Sequence, residues 1–165
     1  MTSAITLLGA TLTMGLAAGV FLLYAHTIMP GLRNADDRTF VGAFQHLDRA
    51  IINPWFMASA FLGALVCTAA AAVANRGTAA LGWIIAALVL YLVAVVITIT
   101  VHVPLNDAMK AAGDPGDGNV ALARQARQRF RESRWAAWNL ARVATTTPAF
   151  GLLAWALVLY GRATP

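Results

Sequence analysis

Residues 79–103 read AALGWIIAALVLYLVAVVITITVHV, without one Lys, Arg, Asp or Glu. A helix that crosses the hydrocarbon core of a bilayer needs about 20 predominantly apolar residues, and this stretch supplies them. Working outward, Met1–Leu32, Ala50–Asn75 and Val143–Gly161 are equally free of those four residue types. The pattern predicts four spans over roughly 5–29, 54–74, 79–103 and 142–161. Arg142 at the start of the last span and Pro148 inside it blur its limits. The short alternating segments of an outer-membrane barrel are missing. The expected fold class is therefore all-α: a polytopic membrane four-helix bundle, one integral membrane domain over 1–165. The first apolar stretch lacks a basic start and is too long for a cleaved signal, so it is expected to stay as a span.

Composition agrees. Of 165 residues, 59% are hydrophobic and 12% charged, with a mean hydropathy of +0.67. A soluble domain carries about 25% charged residues. So few charges cannot cover a water-facing surface, which excludes a soluble enzyme, a disordered tail and a free nucleic-acid-binding domain. The single cysteine, Cys67, excludes a disulfide framework or a zinc cluster and reads as packing.

The net charge of +5 is a statement about orientation. With four spans, both termini and the 75–78 turn share one side, which carries Arg76 and Arg162. The other side carries Arg33, Arg38, Arg49, Lys110, Arg124, Arg127, Arg129, Arg131 and Arg134, with Arg142 at the border. The positive-inside rule predicts a multi-pass cell-membrane protein with its termini outside and both long loops in the cytoplasm. The same arginines suit anionic lipid headgroups, so membrane lipids are expected partners and nucleic acid is not.

Both loops read as helical. Asn34 can cap a helix of roughly 35–52 whose first turn holds Asp36 and Asp37. Phe40, Phe44, Leu47 and Ile51 would form its apolar stripe. Asn53-Pro54 reads as the cap and first turn of the second span. In the second loop, Gly113-Asp114-Pro115-Gly116-Asp117-Gly118 is a break. Asn119 can then cap a helix from Val120 that extends into the fourth span.

Helical spacing assigns inward faces. In the first span, Gly15 and Gly19 make a GxxxG pattern, a surface on which helices or a second copy of the chain can approach closely. Extending that face gives Leu22 and His26. The second span offers a small-residue stripe of Ser59, Gly63, Cys67, Ala70 and Ala74, and the third a face of Tyr91, Val95, Thr98 and His102. Before and within the fourth span, Trp135, Trp138, Asn139 and Arg142 fall on one face, which Thr146 and Ala149 continue. The polar residues gather at one end of the bundle: His26, His102, Asn53, Asn139 and Arg142, with Gln45 and His46 on the amphipathic helix. Ionisable groups in a span are costly and point to function. Plain structural roles stay open for several of them. His26 can be an interfacial residue and His46 an ordinary amphipathic-helix residue. His102 can satisfy a carbonyl freed by Pro104. Trp135 and Trp138 can be belt anchors, and Arg142 can reach for phosphates.

Three segments carry a resemblance: Phe44-Gln45-His46-Leu47-Asp48-Arg49-Ala50-Ile51-Ile52-Asn53-Pro54-Trp55-Phe56, Val103-Pro104-Leu105-Asn106, and Trp135-Ala136-Ala137-Trp138-Asn139-Leu140-Ala141-Arg142. Together the chain resembles the anthrone-oxygenase-like family of small four-helix membrane proteins. Most bacterial members of that family have no assigned function. The family pattern falls on Gln45, Asn53, Pro54, Pro104, Asn106, Trp135, Asn139 and Arg142. The resemblance implies oxidation of a polyketide anthrone to an anthraquinone by molecular oxygen, as in the fungal members. An anthrone carries an acidic carbon between two rings, and its anion can pass an electron to oxygen without a metal or flavin. Such a site needs a base, a donor for the developing oxyanion and a dry, flat pocket. His26 or His102 would be the base, and Asn106, Asn139 and Arg142 the donors. Gln45, Asn53, Tyr91, Trp135 and Trp138 would shape the substrate slot. The expected partners are an apolar substrate and O2.

Two alternatives accompany this reading. His26, His46 and His102 could hold a transition metal with an open position, in place of a cofactor-free site. Or the bundle is no enzyme and binds a lipid or quinone, assists a larger membrane complex, or self-associates through Gly15 and Gly19. A transporter fits less well, because no charged or broken-helix pair marks the midplane.

Overall fold

The computed structural model describes residues 2–113 and 120–163. Among them six helices follow one another, and no strand occurs: α1 (Thr2–Arg33), α2 (Asp37–Ile51), α3 (Pro54–Ala74), α4 (Leu81–Ala111), α5 (Val120–Phe130) and α6 (Glu132–Ala163). The expected cap Asn119 and the break at 114–118 lie outside the described residues. α1, α3, α4 and α6 are each long and apolar enough to cross a membrane. Their outward faces confirm the solvent they suit: Leu8, Leu12, Leu16, Val66, Val89 and Val96 are all exposed. That much outward apolar surface belongs in lipid, where a helix satisfies its own backbone. The protein is an all-α, multi-pass four-helix bundle.

α1 packs between α3 and α6, and α6 between α1 and α4. The bundle core is built of alanines, among them Ala10, Ala17, Ala64, Ala87, Ala94 and Ala149, all fully buried. Small side chains let helices approach closely where no hydrophobic drive separates them from lipid. Larger residues (Leu7, Met14, Ile84, Tyr91 and Leu153) fill the remaining space. The small-residue face of α3 lies one position along from the expected stripe: Ala60, Ala64 and Ala71 are buried, whereas Ala70 is exposed. At the short turn end, Asn75 is buried and binds the Ala71 carbonyl, and Gly77 supplies the positive φ the turn requires.

The opposite end, called here the loop end, carries a second, aromatic core of Tyr24, Phe40, Phe44, Phe130 and Trp135. α2 and α5 pack together there. Asp36, not Asn34, caps α2, because it alone is extended and its carboxylate accepts from the Arg38 and Thr39 amides. Asn34 instead ends α1 in helical conformation. The buried face of α2 is Phe40, Val41, Phe44, Gln45 and Asp48, and Leu47 points outward. Tilted packing of the Phe40 and Phe44 rings against Phe130 sets that rotation. Asn53 caps α3 as the sequence implies, accepting from the Phe56 amide at 2.9 Å with Pro54 next in line. The expected run of α5 straight into the fourth span is broken at Arg131, whose φ of 53° turns the chain between two helices.

Candidate functional site

Three of the four long helices change pitch at the same level. In α1 the Met29 amide donates to the Tyr24 carbonyl, five residues back. In α3 the Leu62 amide donates to Met57, and in α4 the Val103 amide donates to Thr98. These are π turns, which insert one residue into the helix and re-aim the side chains around it. Pro30 and Pro104 lie just beyond two of them and have no N–H to complete an ordinary turn. At the third, Gly63 makes the turn possible. A β-carbon there would collide with the Ala58 carbonyl oxygen.

Between the alanine core and the aromatic core, these turns open a cavity of about 220 Å³. Tyr24, Met57, Phe61, Thr98 and His102, all residues of the π turns, line it. α2 adds Phe44 and Asp48, and α6 adds Trp135 and Arg142.

Arg142 is 6% exposed. Its Nη2 donates to Asn139 Oδ1 at 2.7 Å and its Nη1 to Thr98 Oγ1 at 3.2 Å, while Nε has no partner. Its guanidinium lies 4.3 Å from the centre of the Phe21 ring and 5.6 Å from that of Trp135. None of the ion pairs among the described residues involves it. Asn139 is anchored in turn by donating to the Phe21 carbonyl at 3.0 Å. A buried cation normally has a carboxylate beside it. Here rings and neutral oxygens hold the guanidinium, and the residue lines the cavity.

His102 is 1% exposed, and its ring nitrogens make no side-chain hydrogen bond, with the Ile97 and Trp135 backbone beside the ring. Its ring stands edge-on to Trp135, with centres 4.8 Å apart. Trp135 is fixed by a relay: its indole N–H donates to Asn106 Oδ1 at 2.8 Å, and Asn106 Nδ2 donates to Asp48 Oδ1 at 2.6 Å. The other Asp48 oxygen is 3.2 Å from Lys110 Nζ, which also pairs with Asp107 at 2.9 Å.

The sequence profile of the anthrone oxygenase family matches residues 51–152. The chain belongs to the anthrone oxygenase family. No curated protein and no solved structure matches it.

The matched stretch of this anthrone oxygenase family member takes in Asn106, Trp135, Asn139 and Arg142 and leaves out His26 and His46. Of the residues singled out from sequence, the structure brings His102, Asn106, Trp135 and Arg142 to the cavity wall, with Asn139 directly behind Arg142. It separates the others. Tyr91 lies deeper, fully buried, donating to the Phe61 carbonyl at 2.7 Å. Gln45 clamps α2 to the end of α4 through the Met109 and Gly113 carbonyls. Asn53 is a cap, and Trp138 is exposed on the outer surface. Gly15 lies beneath the Phe150 ring of the same chain, and Gly19 faces open space.

The histidine constellation needs correction. His26 points outward, beside its neighbour Thr27, because the buried stripe of α1 is Met14, Ala17, Phe21 and Tyr24. His46 sits on the outer face of α2 and donates to the Gly42 carbonyl. Among the described residues no three His, Cys, Asp or Glu side chains gather as a metal site. The three-histidine set therefore does not fit a metal. The reading of the sequence missed Tyr24, Asp48, Phe21 and Phe61. Asp48 had a signal: an acid four residues after Phe44, on the side of α2 that carries Phe40 and Phe44.

Proposed function

We propose that the cavity oxidises a weakly acidic, ring-activated CH2 group of an apolar phenolic polycycle to a carbonyl, using O2 and no cofactor. The observation that carries this reading is the pairing of two buried, under-partnered groups on one cavity: the Arg142 cation without a carboxylate and the His102 ring without a polar side chain to hold it. Family membership supports it. An imidazole nitrogen of His102 takes the benzylic proton. The charge spreads onto the ring oxygen, where Arg142 meets it in a site with little water. The anion gives one electron to O2, and the resulting pair of radicals combines as a peroxide. The His102 proton returns to the peroxide, and loss of water leaves the carbonyl. One CH2 and one O2 become one C=O and one H2O. Trp135 and Phe44 supply flat walls. The arginines of the loop end support a cytoplasmic side for that end, against anionic headgroups.

Oxygen uptake by the purified protein in lipid nanodiscs, with an anthrone as substrate, tests the reading. Arg142→Gln should lower the rate 100-fold or more, by the scale of a lost oxyanion donor (about 10²–10³). His102→Gln should lower it by a similar factor, about 10²–10⁴ for a general base. Full uptake in both variants would overturn it. The apolar walls around a single cation favour a second reading, reversible binding of a quinone. Saturable quinone binding without any oxygen uptake would select it.

A further inference from the structure

The cavity has one sealed side and one open side. At the loop end, α2 is bridged to α4 by the buried Asp48, which accepts from Asn106 and pairs with Lys110. A second tie, from Gln45 to the Met109 and Gly113 carbonyls, reinforces that bridge. Along the flank, α3 and α4 join at the 75–78 turn and touch again where Tyr91 donates to Phe61. Beyond that hydrogen bond they make little contact. The cavity residues exposed on this flank are Ile52 at 62% and Val103 at 45%, and both are apolar. Trp55 and Ile99, on the same two chain segments, are also exposed.

We infer that this gap is a lateral portal through which the cavity takes a phenol, an aromatic ring system with a weakly acidic hydroxyl, out of the bilayer. The level of the gap fits. Ile52 lies three residues after Arg49 and Val103 four residues before Asp107, so both stand where a charge-free span meets the charged loop end, the level expected of the boundary between acyl chains and headgroups. Amphipathic aromatic groups collect at that boundary, ring inward and hydroxyl toward the headgroups. A phenol moving sideways there meets apolar residues first and Arg142 at depth, where the guanidinium can take its oxygen. A water-borne anion would meet the Asp48 carboxylate and the α2–α4 bridge instead. O2 partitions into the same hydrocarbon. The inference rests on Arg142 as the oxygen-binding pole of the proposed site and not on turnover.

Spin labels on single cysteines at Ile52 and Val103, in a Cys67→Ser background reconstituted into phosphatidylcholine vesicles, test it. A third label at Asp107, 61% exposed by side chain, serves as the water-facing reference. Lipid-soluble O2 should relax the labels at 52 and 103 several-fold more than a water-soluble Ni(II) chelate does, with the reverse order at 107. Adding 1-naphthol should slow the motion of the 52 and 103 labels, and Arg142→Gln should abolish that slowing. Chelate access exceeding O2 access at both portal positions would overturn the inference. So would labels that ignore 1-naphthol. Because 1-naphthol has no CH2 to oxidise, loss of anthrone turnover and loss of portal binding are read separately.

Discussion

Arg142 illustrates how one residue can oppose folding and serve a site. Its cation is buried with no carboxylate, held by Asn139, Thr98 and the Phe21 ring. Desolvation of such a charge costs several kcal/mol, and a well-packed apolar replacement of similar length is often neutral or stabilising by about 1–4 kcal/mol. Thr98 loses little, because its hydroxyl also donates to the Ala94 carbonyl at 2.8 Å. The buried Asn139 Oδ1, by contrast, loses its donor, at a cost of about 1–3 kcal/mol that offsets the gain. Arg142→Met should therefore leave the thermal midpoint in detergent near that of the parent while removing anthrone oxidation. A midpoint that falls by several degrees would show that the cation stabilises the bundle. Asn139→Ala should act through Arg142. It strips the 2.7 Å contact and leaves the Phe21 carbonyl without its 3.0 Å donor, a loss of about 1–3 kcal/mol. The rate should drop about 10–100-fold, on the scale of a catalytic group displaced by about 1 Å. Asn139→Asp, which still accepts from the guanidinium, should recover part of it. Steady-state oxygen uptake measures both. These residues were legible in the sequence because Trp135, Asn139 and Arg142 share a face of an uninterrupted helix. His26 was misplaced because two glycines suggested a packed face, and smallness is a weak guide where every side of a helix is apolar.

At the scale of elements, the π turns explain both the site and what the sequence hid. Apolar patterning cannot orient a helix whose lipid face is as hydrophobic as its core. In α3 the packed residues are Ala60, Ala64 and Ala71, one position from the Gly63 stripe that small-residue spacing suggests. Pro30 and Pro104 were the visible marks of altered pitch, yet a proline does not say which turn adjusts. Gly63 gives the idea a direct test. Its missing β-carbon is what lets the Ala58 carbonyl pass, and that turn sets Phe61 against Tyr91 and Met57 into the cavity. Gly63→Ala should destabilise by about 1–3 kcal/mol, the usual cost of overpacking, and should lower 1-naphthol binding as well. Unchanged denaturation and binding would mean that the turn is not needed. α2 offers a pH test. The Thr39 hydroxyl and amide, then the Arg38 amide, hold the Asp36 carboxyl below its ordinary range. A lowered folded pKa means the cap is intact above the unfolded value of about 3.9 and is lost as pH falls through the lower folded value. A spin label on α2 at Gly42→Cys should keep its mobility from pH 7 to about 5 and loosen only below about 4.

The whole molecule is two cores with a cavity at their seam, and polar side chains fasten its loop layer. Arg127 of α5 is the main fastener. One guanidinium nitrogen donates to the Ala35 carbonyl and to Asp37, the other to the Arg33 carbonyl and to Glu132, at 2.9–3.2 Å. Its plane also covers the Phe40 ring at 4.2 Å. It therefore joins the end of α1, the start of α2 and the start of α6. This hub was not visible from sequence, where Arg127 is one of several arginines assigned only to orientation. It lies away from the cavity, whereas α2, which it pins, provides Phe44 and Asp48 to the cavity wall. Arg127→Met keeps the stem over Phe40 and removes the donors. It should cost about 2 kcal/mol in the loop layer, discounted because the contacts are part-exposed. The four spans should remain assembled, since the alanine core does not involve it. Trypsin added from the loop side should then cut at Arg38 or Arg49 faster than in the parent. 1-Naphthol affinity should fall about tenfold, the factor that 1.4 kcal/mol of binding energy represents. If α2 stays resistant to trypsin and naphthol binding is unchanged, the loop layer is held by its aromatic core alone, and the cavity does not depend on the arginine that links its surroundings.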